Sequence, residues 1–87
     1  MIQELIGEKV VIDLRSSFVC LGTLQGADEL FLDLRNADLH DLRDTQTTRE
    51  NYVAASRTTG IKRNRKRVLV VRDDVVAITR LDDIVDE

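Results

Sequence analysis

Several residue types are scarce in this chain of 87 residues, and each shortage excludes a class of protein. Proline is absent, which suits strands and argues against a disordered linker. Aromatic residues make up only 3% of the sequence, so the core must be aliphatic. No apolar run approaches the roughly 20 residues of a membrane span, and residues 1–9 lack the features of a signal peptide. The lone Cys20 is expected to be a buried small hydrophobe, and together these features predict a cytoplasmic location.

The charged residues are unevenly distributed. Thirteen basic and 16 acidic residues give a net charge of −3. Five of the basic residues lie within residues 62–67, here called the basic segment: Lys62, Arg63, Arg65, Lys66 and Arg67. The other eight basic and 16 acidic residues give −8, so an acidic body carries one basic segment.

Residues 68–78, VLVVRDDVVAI, predict two short strands joined by a tight turn. Valine is β-branched and favours an extended backbone, whereas aspartate is common in turns. A hairpin with one wet face alternates apolar and polar residues, but both faces of this one are apolar. We therefore expect a second copy of the chain to cover it, through an interface made of Val68, Leu69, Val70, Val71, Val75, Val76, Ala77 and Ile78.

The rest of the chain predicts further short elements. Residues 1–6 suit a turn or two of helix, which Gly7 would end. Strands are expected at 10–14, 18–24 and 30–34, the last running on toward Leu39, with a loop at 25–29. Within the second strand, Gly22 predicts a bend or a close backbone approach. The side chains expected to be nearly fully buried are Ile12, Leu14, Leu32 and Leu34.

The middle and the end of the chain leave alternatives open. Residues 53–55 could extend a strand or form a helical turn, and Tyr52 could anchor this polar stretch or stack on RNA. The acidic tail, 81–87, could form a short helix or lie loosely. Five short strands predict one mostly β domain over residues 1–87, a strongly bent antiparallel barrel with a variable polar and basic insertion around 42–67. Its open edges would need to pair with another molecule.

Two motifs resemble the Sm-like family, whose members have a short N-terminal helix and a bent, five-stranded, SH3-like barrel that assembles edge to edge into rings. The first is LIGEKVVIDLRSSFVCLGTLQGAD, in which Gly22, Leu24 and Asp28 stand at the family's spacing. The second is the VRDD sequence at 71–74, similar to the family's apolar–Arg–Gly–Asp/Asn. The resemblance covers residues 5–34 and 68–78, and it implies a homo-oligomeric ring.

The resemblance also implies an RNA site. In the family, bases of uridine-rich single-stranded RNA enter pockets around the pore, between the two loops that these motifs form. The residues implied here are Asp28, Leu30, Phe31, Arg72, Asp73 and Asp74. Arg72 matches the family's stacking arginine, and Phe31 replaces a base-binding asparagine but could stack on a base. Asp73 replaces a glycine, and with Asp74 it places two carboxylates where phosphates would repel them.

Two functional interpretations follow. The first is a ring that binds single-stranded RNA without catalysis, as an RNA chaperone or scaffold; the alternative is a ring that has lost its uridine pockets and serves as a protein scaffold. The basic segment could bind RNA phosphates, or it could be a solvated strand start that discourages aggregation. Arg72 could stack on a base or pair with Asp73 or Asp74 of a neighbouring copy.

No catalytic or metal site is predicted. Asp38 and His40 would share one strand face, a pair that suits Zn²⁺, but the chain has one histidine and no second ligand cluster, which favours a surface histidine. No nucleophile stands beside a base, and no glycine-rich nucleotide motif is present. We therefore expect no cofactor, no enzyme activity and no membrane partner.

Overall fold

Five strands and one α-helix make up most of this computed structural model, which describes residues 1–44 and 46–85. The strands are β1 (Lys9–Leu14), β2 (Phe18–Ala27), β3 (Phe31–Asp41), β4 (Arg65–Val71) and β5 (Val75–Arg80). Helix α1 (Arg49–Thr59) follows β3 and precedes β4 in the sequence. Short 3₁₀ turns are found at Ile2–Leu5, Leu42–Asp44, Arg72–Asp74 and Leu81–Asp83. The fold is therefore mostly β, and the predicted N-terminal helix is a single 3₁₀ turn.

The strands form one antiparallel sheet in the order β4-β3-β2-β1-β5. Although β4 and β5 follow each other in sequence, they lie at opposite edges of this sheet. The hairpin predicted for residues 68–78 is therefore wrong, because the turn Arg72–Asp74 carries the chain from one edge to the other. Among the described residues, each edge strand has a hydrogen-bonded neighbour on one side.

The sheet bends where β2 and β3 change register. The pairing shifts between Leu21 and Thr23 and again between Leu24 and Gly26, and such irregularities increase the local twist and bend of a strand. At the first shift, a Cβ on Gly22 would lie 3.0 Å from the Cβ of Ala37. The close backbone approach predicted for this glycine is confirmed.

Two predicted strand ends need correction. β2 continues through Ala27, so residues 28–30 alone separate it from β3, and the loop predicted at 25–29 is too long. Strand β3 begins at Phe31 instead of Leu30 and runs beyond Leu39 to Asp41. The small, polar end of β2 looks like a loop in sequence, but it stays in the strand because it pairs with β3.

The main core lies on the inner face of the bent sheet. Leu32 and Leu34 alternate inward from β3, and Ile12 and Leu14 do so from β1; their exposed fractions are 0, 0, 0 and 8%. The predicted burial of all four is confirmed. The remaining buried members are Val10, Cys20, Leu24, Ala37 and Val70. Burial raises the pKa of the Cys20 thiol to about 12, as expected of a small buried hydrophobe.

A second apolar cluster lies between the sheet and α1: Val11, Val19, Leu21, Val53 and Leu81. The helix begins after Thr48, whose hydroxyl accepts a hydrogen bond from the N–H of Asn51 at 3.1 Å. It ends at Gly60, which has a φ of 94°. Residues 53–55, for which a strand or a helical turn was open, are thus helical. The tail packs against the second apolar cluster through Leu81 in its 3₁₀ turn. Residues 86–87 of the tail lie outside the described residues.

Candidate nucleic-acid interface

The short loop between β2 and β3 is organised by Asp28. Its carboxylate accepts hydrogen bonds from the backbone N–H of Phe31 at 2.7 Å and of Leu30 at 2.8 Å. Because both bonds favour the ionised form, they hold the pKa of Asp28 below its ordinary value. The loop is therefore a compact turn closed by one side chain, and the side chain of Leu30 is exposed at its tip.

Arg72 joins this loop to the turn between β4 and β5. Its backbone N–H donates to the carbonyl oxygen of Leu30 at 2.8 Å. Its guanidinium donates from Nη1 to the carbonyl oxygen of Asp28. We call this connection the loop junction, defined by residues 28–31 and Arg72. It brings four of the predicted RNA-binding residues together: Asp28, Leu30, Phe31 and Arg72.

The two remaining residues of that prediction differ from each other. The carbonyl oxygen of Asp74 accepts from the N–H of Arg15 at 2.8 Å, and its carboxylate accepts from the hydroxyl of Ser16 at 3.4 Å. Asp74 is thus committed to the turn between β1 and β2. Asp73 is exposed, and its carboxylate has no hydrogen bond or ion pair within residues 1–44 and 46–85.

A groove of about 290 Å³ lies beside the loop junction, lined by Gly26, Ala27, Asp28, Phe31, Asp33, Arg67 and Leu69. It forms because alternation along β3 turns Phe31 and Asp33 outward, and their partners on β4 are Val71 and Leu69. The ring of Phe31 remains 37% exposed. An aromatic side chain at the mouth of a groove offers a flat surface on which a base can stack.

The groove carries a neutralised charge pair. Arg67 donates to both carboxylate oxygens of Asp33, at 3.1 and 3.2 Å, and Arg35 lies 3.6 Å from one of them. The hydrogen bonds from Arg67 lower the pKa of Asp33. This pair was not predicted from the sequence, although alternation along β3 places Asp33 on the same face as Phe31.

The basic segment lies at the other end of β4. Its five basic side chains are exposed, but they differ in their hydrogen-bond and ion-pair partners. Arg63 donates to the side-chain oxygen of Asn36 at 2.6 Å, and Arg65 donates to the carbonyl oxygen of Asn64 at 3.1 Å. In the part of the chain that the structure describes, Lys62 and Lys66 have no hydrogen-bond or ion-pair partner. Since seven strand residues span about 20 Å, only Arg67 reaches the groove.

A polar network connects α1 to β3. The hydroxyl of Tyr52 donates to the carboxylate of Asp38, and Asn64 Nδ2 donates to its other oxygen at 3.1 Å. The ring of His40 stacks on Tyr52, with ring centroids 4.2 Å apart. His40 is therefore partly exposed, with one face of its ring covered by Tyr52, and Tyr52 anchors α1 to β3. Burial raises the pKa of Asp38, which is 7% exposed.

The described residues offer neither a cluster of metal ligands nor a helix that could span a membrane. No group of three or more His, Cys, Asp and Glu side chains in residues 1–44 and 46–85 could hold a metal ion. In the same residues, no helix has both the length and the apolar character needed to cross a bilayer.

The eight predicted interface residues divide between the inside and the outside of the chain. Val70 is buried, and three others pack partly against the main core: Val68, Val75 and Ile78. The rest are exposed: Leu69, Val71, Val76 and Ala77. Each sheet edge thus combines unpaired backbone with exposed aliphatic side chains.

Comparison with known proteins identifies the fold. No protein-family model matches the chain, and no curated protein sequence does. A solved structure of an Sm protein from Pyrococcus abyssii, in complex with a uridine heptamer, matches with a TM-score of 0.63 and 21% identity, over 91% of this chain and 90% of that one. An Sm-like protein from Archaeoglobus fulgidus matches with a TM-score of 0.62 and 17% identity, over 92% of this chain and 88% of that one. The chain therefore has the Sm-like fold, and the resemblance seen in its two motifs is confirmed at the level of the fold.

Proposed function

We propose that this protein is a non-catalytic, homo-oligomeric ring that binds single-stranded RNA and acts as an RNA chaperone or scaffold. The observation that carries the proposal is the loop junction, in which Arg72 holds the two loops together beside the exposed ring of Phe31. The Sm-like fold supports it, because the Pyrococcus abyssii protein of the same fold was solved with a uridine heptamer.

A base would enter the groove and stack on Phe31. Stacking of one base on an aromatic side chain contributes roughly 1–3 kcal/mol. Arg67 neutralises Asp33 in the groove lining, and the carboxylate of Asp28, the other acidic lining residue, accepts from two backbone N–H groups. The loop junction is already bonded in the free chain, so little ordering is needed when a base arrives.

Phosphates would be attracted by the uncommitted cations of the basic segment and repelled by Asp73. Attraction to phosphates supplies affinity without sequence preference, and it weakens as salt concentration rises. Any preference for uridine would then come from the groove. The exposed carboxylate of Asp73 lowers affinity, but it is the one carboxylate in the turn Arg72–Asp74 that is free in the described structure.

The ring would form by pairing of the open sheet edges. Strand β4 of one copy would add to β5 of the next, joining backbone that is unpaired in the described residues and covering Val71 and Val76. Such a contact uses two different surfaces, so its repetition can close into a ring. Each copy would present one loop junction, and a single RNA strand could contact several. The single-domain boundaries, the role of 42–67 as an insertion and the cytoplasmic location remain predictions.

The test is a titration of labelled oligouridine at two salt concentrations, followed by fluorescence anisotropy. We expect the protein to bind, and Phe31→Ala to weaken binding by roughly 1–3 kcal/mol, about 5- to 150-fold in Kd. Val85→Ala, which shortens another exposed apolar side chain far along the sequence, should leave Kd unchanged. Absence of binding at low salt would reject RNA as the ligand and leave the protein-scaffold interpretation.

A further inference from the structure

The two open edges of the sheet carry opposite charges at opposite ends of their strands. Strand β4 begins with Arg65, Lys66 and Arg67. Strand β5 ends at Arg80 and leads directly into a 3₁₀ turn that contains Asp82 and Asp83. All of these side chains except Arg80 are exposed.

Of these six charged side chains, two are already in ion pairs and four are not, within residues 1–44 and 46–85. Arg67 is bonded to Asp33, and Arg80 lies 3.8 Å from Glu8. By contrast, neither Lys66 nor Arg65 makes an ion pair within the described ranges, and the guanidinium of Arg65 bonds only to a backbone carbonyl. Asp82 and Asp83 likewise make no ion pair there. Two cations at the start of one edge and two carboxylates at the end of the other thus lack an ion pair in the described residues.

The direction of strand pairing decides whether these charges meet. All four pairings in the sheet are antiparallel. If β4 of one copy pairs antiparallel with β5 of the next, the start of β4 lies beside the end of β5, and opposite charges meet. A parallel pairing would bring the ends of both strands together, placing Asp73 beside Asp82 and Asp83. Like charges would then repel, so the charge pattern favours the antiparallel contact.

We propose that Arg65 and Lys66 of one copy bind Asp82 and Asp83 of the next copy, and that this charge contact fixes the direction of subunit pairing. The inference rests on the ring of the proposed function and identifies the contact that orients its subunits. It divides the basic segment: Arg65 and Lys66 on β4 serve assembly, so that phosphates are left to Lys62 and to Arg63, which keeps its charge although it donates one hydrogen bond to Asn36.

The experiment measures mass against protein concentration by light scattering, without RNA, for the full chain and three charge variants. The first variant is Arg65→Glu with Lys66→Glu, the second is Asp82→Lys with Asp83→Lys, and the third combines all four changes. Each of the first two turns attraction into repulsion, so assembly should need at least tenfold more protein at low salt. The third restores opposite charges, so its assembly should return to within threefold of the unmodified chain.

A matched control separates a local contact from a change in net charge. Lys9→Glu with Arg15→Glu alters net charge by the same amount as the first variant, at exposed residues outside β4 and the tail. This control should assemble like the unmodified chain. Circular dichroism of each variant should show the same sheet content, because all the changed side chains are exposed.

Three results would overturn the inference, and each is distinguishable from failure of RNA binding. If the unmodified chain stays monomeric at high concentration, both the ring and the charge contact fall. If the chain assembles and the first two variants assemble equally well, the charge contact alone falls. If those variants fail but the fourfold variant does not recover, these residues do not face each other. The scattering experiment contains no RNA, so its outcome does not depend on RNA binding. A failure to bind oligouridine in the separate titration would reject the proposed RNA function and would leave this contact untouched.

Discussion

The two ends of strand β4 differ in how far their polar groups are already satisfied within one chain. At the C-terminal end, Arg72 is bonded to the loop between β2 and β3, and Asp74 is bonded to the turn between β1 and β2. At the N-terminal end, Lys62 and Lys66 have no partner in residues 1–44 and 46–85. The C-terminal end, with its polar groups bonded, provides a fixed shape, whereas the N-terminal end provides charged side chains that can bind another molecule. We therefore expect the first to act through stacking and the second through salt-sensitive attraction.

The largest expected effect comes from a substitution in the main core, on which both ends of β4 depend. Leu32 is fully buried and pairs with Val70, near the C-terminal end of β4. Leu32→Ala should lower the free energy of unfolding by about 2–5 kcal/mol, because it loses burial and leaves a cavity. Urea denaturation measures this, with Val85→Ala as an exposed control. A loss below about 1 kcal/mol would mean that the strand register is wrong.

Sequence reasoning predicted this core because alternation in residues 30–34 and the two Sm-like motifs agree on which side chains point inward. It also brought Asp28, Phe31 and Arg72 to one place. The hairpin was wrong because a stretch that is apolar on both faces suits two strands at opposite edges as well as two paired strands. Local sequence carries no information about which neighbour an edge strand will find.

Other features depend on contacts distant in sequence. Asp33 and Arg67 are separated by 34 positions, and no motif connects them. Helix α1 has a polar, mixed composition, and it is stabilised by the Thr48 cap and by packing of Val53 on the sheet. Tertiary contacts of this kind override weak local preferences. They also explain why His40, expected at the surface, is partly covered by Tyr52.

The next largest effect concerns the C-terminal end of β4, where the polar groups are already bonded. Arg72→Ala removes the hydrogen bond from its guanidinium to Asp28 and any stacking on a base. Oligouridine binding should therefore weaken by roughly 1–3 kcal/mol. The preference for uridine over adenine should shrink, and the salt dependence should change by at most one phosphate contact. Arg72→Lys keeps the charge but loses the planar guanidinium. If the lysine variant binds like the unmodified chain, Arg72 acts through charge alone and the contrast between the two ends disappears.

The charged end should show the opposite pattern. Lys62→Gln with Arg63→Gln should weaken binding of all single-stranded sequences alike, and the slope of log affinity against log salt should become shallower by about 0.7 per lost contact. Anisotropy titrations with oligouridine and oligoadenine at several salt concentrations measure both quantities. Lys9→Gln with Arg15→Gln is the control of equal charge. A change in base preference with an unaltered salt slope would contradict the assignment of charge to this end.

A smaller effect should follow from replacing Asp73 by glycine in the turn Arg72–Asp74. Asp73→Gly removes the exposed carboxylate and should tighten oligouridine binding a few-fold, most clearly at low salt, where charge is least screened. Glu50→Gln, which removes one carboxylate on α1, is the control. If Asp73→Gly leaves affinity unchanged while the change at Lys62 and Arg63 abolishes binding, the groove is not the RNA site.

The smallest expected effect is a difference in how the two ends respond to acid. Hydrogen bonds from Phe31 and Leu30 lower the pKa of Asp28 from its ordinary value of 3.8. A carboxyl whose pKa is lower in the folded state stabilises the fold above the unfolded pKa, and this contribution is lost as pH falls through the folded pKa. Asp38 accepts a hydrogen bond from Asn64, which lies within the basic segment. It behaves in the opposite way, because burial raises its pKa. Its ionisation destabilises the fold, so this cost is relieved as pH falls through the raised folded pKa toward 3.8.

An NMR titration of the carboxyl carbons should therefore find the midpoint for Asp28 below 3.8 and the midpoint for Asp38 above it. Asp28→Asn removes a titrating group but keeps an oxygen that can accept from the two backbone N–H groups. In this variant, stability measured by urea denaturation should fall less steeply on going from pH 5 to pH 3 than in the unmodified chain. In Asp38→Asn, over the same interval, it should fall more steeply, because the relief that protonation of Asp38 provides is absent. Equal slopes in both variants, or midpoints shifted in the same direction, would show that the two ends of β4 do not differ in how their carboxyls are held.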